Sequence, residues 1–291
     1  MINKFLNRST FIWLFVFAFS GIIQAQYNET IRTGRPGQSI NPFTTGKGIL
    51  QFQQGYVYDQ EKADIDPNTL SFDRDGIAKN STFENVIRYG IAENIEINAA
   101  VDYKWENWRY YSNLPDEDIQ SNYLSAFDIG ARMHLVDQNK GVPDIAVQAR
   151  LGMGQYFQNG EFEVKDVKIT GAFAWKLTER NGLTVNIIPI IDIAGFESSK
   201  INYTLAYSYA ITDKLGVFIE NYGTIFLESD VNNGSYEDFR TYFDGGFSYL
   251  ISNNVQLDIL GGYGYNRPLL GTPIESYFVS AGISWRILTA K

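Results

Sequence analysis

From Ile95 to Glu106 the chain alternates, with Ile95, Ile97, Ala99, Val101, Tyr103 and Trp105 on one side and Glu96, Asn98, Ala100, Asp102, Lys104 and Glu106 on the other. Successive side chains of a β-strand point to opposite faces, so this pattern predicts a strand apolar on one face and charged on the other. A typical soluble strand runs to only ~5–6 residues. A tilted strand crossing a bilayer needs ~9–11, which this segment supplies.

The pattern recurs. Ile201, Tyr203, Leu205, Tyr207 and Tyr209 alternate with Asn202, Thr204, Ala206 and Ser208. Tyr123, Ser125, Phe127, Ile129, Ala131 and Met133 alternate with Asn122, Leu124, Asp128, Gly130 and Arg132, which predicts the first set on the apolar face. Tyr277, Val279, Ala281, Ile283 and Trp285 alternate with Ser276, Phe278, Ser280, Gly282, Ser284 and Arg286. Twelve such segments are expected, near 47–58, 79–90, 95–106, 120–134, 144–156, 164–177, 182–194, 200–210, 214–226, 236–250, 254–264 and 275–287. The seventh has the least regular pattern, because Ile187-Ile188 and Ile190-Ile191 blur it and Pro189 removes a ladder donor.

Connections sort into two alternating classes. Short turns are predicted at Gly90–Asn94, Val136–Pro143, Thr178–Asn181, Ile211–Asp213 and Ile251–Asn254. Between them fall mostly longer polar connections: Asp59 to Ala78, Asn107 to Ile119, Phe157 to Glu163, Gly195 to Ser199, Leu227 to Ser235 and Tyr265 to Ile274. Outer-membrane barrels have short periplasmic turns and longer extracellular loops, with an even strand number. The pattern therefore predicts an all-β fold, a transmembrane antiparallel up-and-down β-barrel of about twelve strands. Tyr89, Trp175, Tyr209 and Tyr249 precede short turns and are expected to form one interfacial girdle.

The N-terminus reads as an export signal over 1–25, with Lys4 and Arg8 ahead of an apolar run from Phe11 to Ile23 and a cleavage site after Ala25. Residues 26–46 are expected to form an N-terminal periplasmic segment that lines or plugs the barrel mouth, and 47–291 the barrel. Losing Lys4 and Arg8 takes the formal charge from −9 to −11, the wrong sign for a nucleic-acid partner. Without cysteine, a disulfide framework and thiolate metal sites are excluded. Aromatic residues reach 15% while the mean hydropathy is slightly negative, which suits a lipid face alternating with a wet interior.

The run Thr33-Gly34-Arg35-Pro36-Gly37, continuing through Asn41-Pro42-Phe43 to Lys47-Gly48, resembles the opening of the outer-membrane transporter family catalogued as "MetA-pathway of phenol degradation". So do the turn Arg88-Tyr89-Gly90-Ile91-Ala92-Glu93-Asn94-Ile95-Glu96 and the end Val279-Ser280-Ala281-Gly282-Ile283-Ser284-Trp285-Arg286. The resemblance implies a transporter of small solutes, aromatic or otherwise hydrophobic.

Catalytic chemistry is sparse. The single histidine, His134, is expected to face inward near the periplasmic rim as a polar rim residue, and the chain has no Gly-x-Ser-x-Gly elbow to pair with it. Carboxylates at Asp64, Asp66, Asp73, Asp75, Asp116, Glu117 and Asp118 are read as solvated acidic loops, with calcium the alternative. Gly261-Gly262-Tyr263-Gly264 sits inside a strand pattern and is no phosphate loop. No enzyme, cofactor or metal is expected.

The inward face carries the candidate site. Glu84, Arg88, Glu96, Asp102, Lys104, Asp128, Arg132, Arg150, Asp166, Lys168, Glu220, Asp238, Arg240, Asp244, Asp258 and Arg286 are all predicted to face the lumen. They form either a solute pathway or a charge-paired plug. The expected protein is a monomer whose partners are outer-membrane lipid and an unidentified small-molecule solute. A channel, a structural or surface-interaction barrel and, third, a barrel enzyme remain the competing functions. Arginine at Leu205 is expected to destabilise the barrel and arginine at Thr204 to be tolerated.

Overall fold

In the computed structural model of the chain, the described residues are 30–63, 75–111, 117–153, 164–193, 199–226, 237–268 and 274–288. They form twelve strands: β1 Ile49–Ala63, β2 Asp75–Ala92, β3 Ile95–Tyr111, β4 Glu117–Val136, β5 Asp144–Gly152, β6 Asp166–Lys176, β7 Asn181–Asp192, β8 Lys200–Ala210, β9 Leu215–Phe226, β10 Glu237–Ser252, β11 Val255–Pro268 and β12 Ile274–Leu288. Each strand pairs antiparallel with the next, and β1 pairs with β12 to close the barrel. Closure leaves no strand edge, so every strand has a ladder on both sides.

The alternation in the sequence becomes an inversion of a soluble core. Leu205, Ile219, Phe243, Ile259 and Val279 are large, apolar and exposed on the outer face. Inside, the largest fully buried side chains among the described residues are polar except for Pro42, and include Arg88, Gln51, Glu96, Asn80 and Asn186. An apolar belt around a hydrogen-bonded cylinder is what a hydrocarbon surrounding selects. Tyr89, Trp175, Tyr209 and Tyr249 lie near the short-turn end, where the indole N–H of Trp175 donates to the Gly141 carbonyl at 3.1 Å.

One local reading needs correction, and one is borne out. The register of β3 against β4 shifts between Asp102 and Tyr103, which leaves Ser125 unpaired as a bulge residue. Above it the faces exchange: Leu124 comes opposite outward Tyr103, and Tyr123 opposite inward Lys104. A single extra residue flips all that follow. In β7, Pro189 interrupts the ladder to β6 between Lys168↔Ile190 and Gly171↔Ile187, yet the pairing to β8 runs through it at Pro189↔Ile201. The short turns are all described. Asp64, Asp66, Asp73 and Asp116, the core of the acidic-loop reading, lie outside the described residues.

Candidate functional site: an occupied polar lumen

Residues 30–46 do not continue the barrel wall. They enter the lumen and bond to β1, β2, β3, β4, β7, β8, β9, β11 and β12. A non-strand segment exposes N–H and C=O groups that must be satisfied wherever water is excluded. The wall supplies those partners, in two different ways on its two sides.

On the β2–β4 side the partners are cations. Arg88 forks onto Glu96 through Nε–Oε1 and Nη2–Oε2, both at 2.8 Å, with both side chains almost wholly buried. Its remaining donors reach the carbonyls of Arg32 at 3.0 Å and Phe43 at 2.9 Å. Arg132 donates twice to Gln148 Oε1, at 2.8 and 3.1 Å, and to the carbonyls of Asn41 and Phe43, both at 3.2 Å. Glu96 also accepts the Thr45 amide hydrogen at 3.0 Å. A planar guanidinium with five donors can fork onto both oxygens of a carboxylate and still hold two carbonyls, four bonds that the three donors of a lysine cannot make. Beside this cluster Gly90 lets the segment past, because a Cβ there would lie 1.7 Å from the Gly46 carbonyl oxygen. His134 is buried, stacks on Phe43 with centroids 5.9 Å apart, and donates from Nδ1 to the Pro42 carbonyl at 3.1 Å.

On the β9–β12 side, and at Glu84 of β2, the partners are acids. Arg35 reaches across with Nη1 2.7 Å from Glu84 Oε2, Nη2 3.1 Å from Asp258 Oδ1 and 2.8 Å from Ser280 Oγ. Its guanidinium lies over Gly55 and Gly282, where any side chain would overlap it. Glu220 accepts the backbone hydrogens of Gln38 at 2.6 Å and Ser39 at 2.7 Å. Ser39 Oγ lies 2.7 Å from Thr204 Oγ1, and Asn186 bonds both polar groups of the Ile40 backbone, at 2.7 and 2.9 Å.

The other predicted residues are more dispersed. Lys168 bonds both oxygens of Asp128 at 2.9 Å and lies 3.8 Å from Asp166, while Arg150 donates to Asn98 at 2.8 Å. Lys104 pairs with Glu106 at 2.6 Å, Arg286 donates to Asn254 Oδ1 at 2.8 Å, and Arg240 sits 5.6 Å from the centre of the Phe226 ring. Asp102 lines a chamber of about 190 Å³ beside the segment, and Asp244 a chamber of about 260 Å³ beyond Arg35, away from the short turns. The side chain of Asp238 lies outside the described residues. Sequence reasoning missed Arg35 as a lumen charge, and with it Tyr222, Tyr242 and Phe278, which line the larger chamber. Counting alternation through β9 and β10 places both tyrosines inward. Nothing local marks Arg35, whose partners are 49 and 223 residues away.

Among the described residues one group has metal-ligating potential: His134, Asp137 and Asp144, with ligand atoms within 4.8 Å of one another. Asp144 accepts the Gln138 amide hydrogen at 2.9 Å, and His134 Nε2 lies 3.0 Å from Asp137. These contacts tie the β4–β5 turn to the inserted segment. Arginine at Thr204, expected to be tolerated, is excluded by the same packing, because Thr204 is buried beneath Ser39.

The family model described as "Putative MetA-pathway of phenol degradation" matches residues 33–287, which takes in the inserted segment from Thr33 onward and nearly all of the barrel. Among solved structures, the chain is similar in fold to an outer membrane channel from Pseudomonas putida F1, with a TM-score of 0.61 and 12% identity over 87% of this chain and 99% of that one. It also matches the translocator domain of the autotransporter NalP from Neisseria meningitidis, with a TM-score of 0.49 and 13% identity over 83% of this chain and 89% of that one. Among curated proteins, none matches the chain.

Proposed function

We propose that this protein, which belongs to the MetA-pathway family, is an outer-membrane channel for small solutes whose lumen is gated by its own N-terminal segment. One observation carries the reading: the lumen is wide enough to hold a separate run of backbone, residues 30–46, and two chambers beside it. A barrel serving only as a scaffold fills its interior with its own wall side chains, as small barrels do. Here the filling is a strand-free segment held by hydrogen bonds and ion pairs, which water can replace when it leaves. The family's description and the aromatic lining of the larger chamber support small aromatic solutes. No nucleophile–base pair is needed for this reading, and His134 serves the segment by binding the Pro42 carbonyl.

The rival reading is a static structural barrel, favoured by the number of bonds that hold the segment. Planar-bilayer recordings of the full chain and of Arg35→Ala separate the two. Weakening the latch is expected to turn rare openings into frequent discrete steps. Silence from both proteins, with heat-modifiable migration intact, would leave the structural reading standing.

A further inference from the structure

We infer that the 260 Å³ chamber beyond Arg35 is a binding site for a compact aromatic or alkyl ammonium cation. The inference rests on the channel reading for its biological meaning, but its binding chemistry can be tested separately.

One wall of the chamber is aromatic. Tyr222 and Tyr242 stack with centroids 5.0 Å apart and planes 9° from parallel, and Phe278 meets Tyr242 edge-on at 6.4 Å. The Gly261-Gly262-Tyr263-Gly264 run explains how these rings fit. Gly262 and Gly264 are its inward positions, and a Cβ on Gly264 would lie 2.3 Å from the Tyr242 ring and one on Gly262 2.2 Å from Phe278 Cζ. The rings therefore lie against bare backbone, and all three line the chamber. π-faces in such a setting attract cations.

The charges around the rings point the same way. Asp244 is buried, yet among the described residues neither of its carboxylate oxygens has a hydrogen-bond partner. Its Cβ sits beside Phe278 over Gly262, which places it directly behind the aromatic wall. A buried carboxylate with no donor either takes up a proton or gains from a positive charge brought near it, so a cation that enters is held best by the ionised form. Asp59 and Glu61 line the same chamber, and Asp59 accepts a hydrogen from Asn80 at 2.7 Å. The cations lining the chamber are already engaged, Lys104 with Glu106 and Arg35 with Glu84 and Asp258, and Arg240 of β10 bonds the Tyr242 hydroxyl and acts on Glu61. Three cations thus face the acids Asp59, Glu61, Glu84 and Asp244 together with Glu106 and Asp258. What remains is a surplus of negative charge around π-faces. A quaternary ammonium needs compensating charge and polarisable surface rather than hydrogen-bond acceptors, so it matches both features. A carboxylate or phenolate would meet repulsion from Asp59, Glu61 and Asp244.

The test is equilibrium binding by calorimetry to the detergent-solubilised full chain, with benzyltrimethylammonium, phenylacetate and benzyl alcohol as probes of similar size. Benzyltrimethylammonium is expected to bind at one site, at least about tenfold more tightly than either of the others. Asp244→Asn should remove most of that preference, and Tyr242→Leu should weaken the cation selectively, with heat-modifiable migration unchanged in both. Equal binding of the three probes to the wild-type chain, or tighter binding of phenylacetate, would overturn the inference, whatever the variants do. Conductance is read independently. Ammonium binding to a non-conducting protein would sink the channel reading alone, and conductance without ammonium preference would sink this inference alone.

Discussion

The two walls of the lumen hold one segment by opposite means, and they differ in what they keep when it leaves. Around β2–β4, Arg88 and Arg132 have wall partners of their own, Glu96 and Gln148, besides the carbonyls of the segment. That cluster is part of the barrel. On the other wall Glu220 is bonded by the segment's backbone and Asp258 by Arg35, which also reaches back to Glu84, midway along β2. Withdrawal leaves these acids facing an empty lumen. On the gated-channel reading the basic wall is a scaffold, and the acidic wall would exchange the segment for whatever enters.

Removing a charge from the basic wall should damage folding most. Glu96→Gln leaves Arg88 and Arg132 buried without their shared carboxylate, an expected loss of about 3–5 kcal/mol. The midpoint of urea unfolding in detergent or lipid measures it, and an unchanged midpoint would show that the cluster is not structural. The outer face supplies the next effect: Leu205→Arg should cost about 2–4 kcal/mol at the hydrocarbon surface. Thr82→Arg, pointing into the larger chamber, should stay within ~0.5 kcal/mol. Equal costs would contradict the assignment of faces.

Changes on the acidic wall should alter occupancy of the lumen rather than barrel stability. Arg35→Ala is expected to weaken the seated segment by about 2–3 kcal/mol, at the low end for a desolvated pair because Glu84 is partly exposed. Protease sensitivity of residues 30–46 should rise while the barrel's unfolding midpoint holds. Ser39→Ala removes the hydroxyl's contacts to Thr204 and Glu220, worth about 1 kcal/mol each, and should raise that sensitivity less than Arg35→Ala does. A large fall in the midpoint from either variant would erase the distinction between the walls.

Much of this was legible in the sequence because a strand reports its faces with period two. Glu96, Asp102 and Lys104 could be placed on one side of β3 by counting, and the short turns separated one rim from the other. Counting failed at Ser125, where a bulge is a matter of backbone pairing between strands and leaves no local mark. It also could not reach the lumen's contents. The Arg35-Pro36-Gly37 run shows no periodicity, and its meaning lies in Glu84, Glu220 and Asp258, brought near only by barrel closure. The Arg88-Tyr89-Gly90 turn was likewise recognisable without being explicable. Its arginine grips the segment, its tyrosine lies outside, and its glycine makes room for Gly46.

The central claim is that residues 30–46 must move for the lumen to open. The chain has no cysteine, so a single engineered pair can lock the segment without competing thiols. Ser39→Cys with Thr204→Cys replaces two oxygens 2.7 Å apart, and the Arg35→Ala background favours opening once the lock is released. The decisive measurement is planar-bilayer conductance of that variant before and after reductant, with the disulfide verified by mass. Silence while oxidised and discrete openings on reduction are expected. Openings that persist with the disulfide intact would show that the segment need not move.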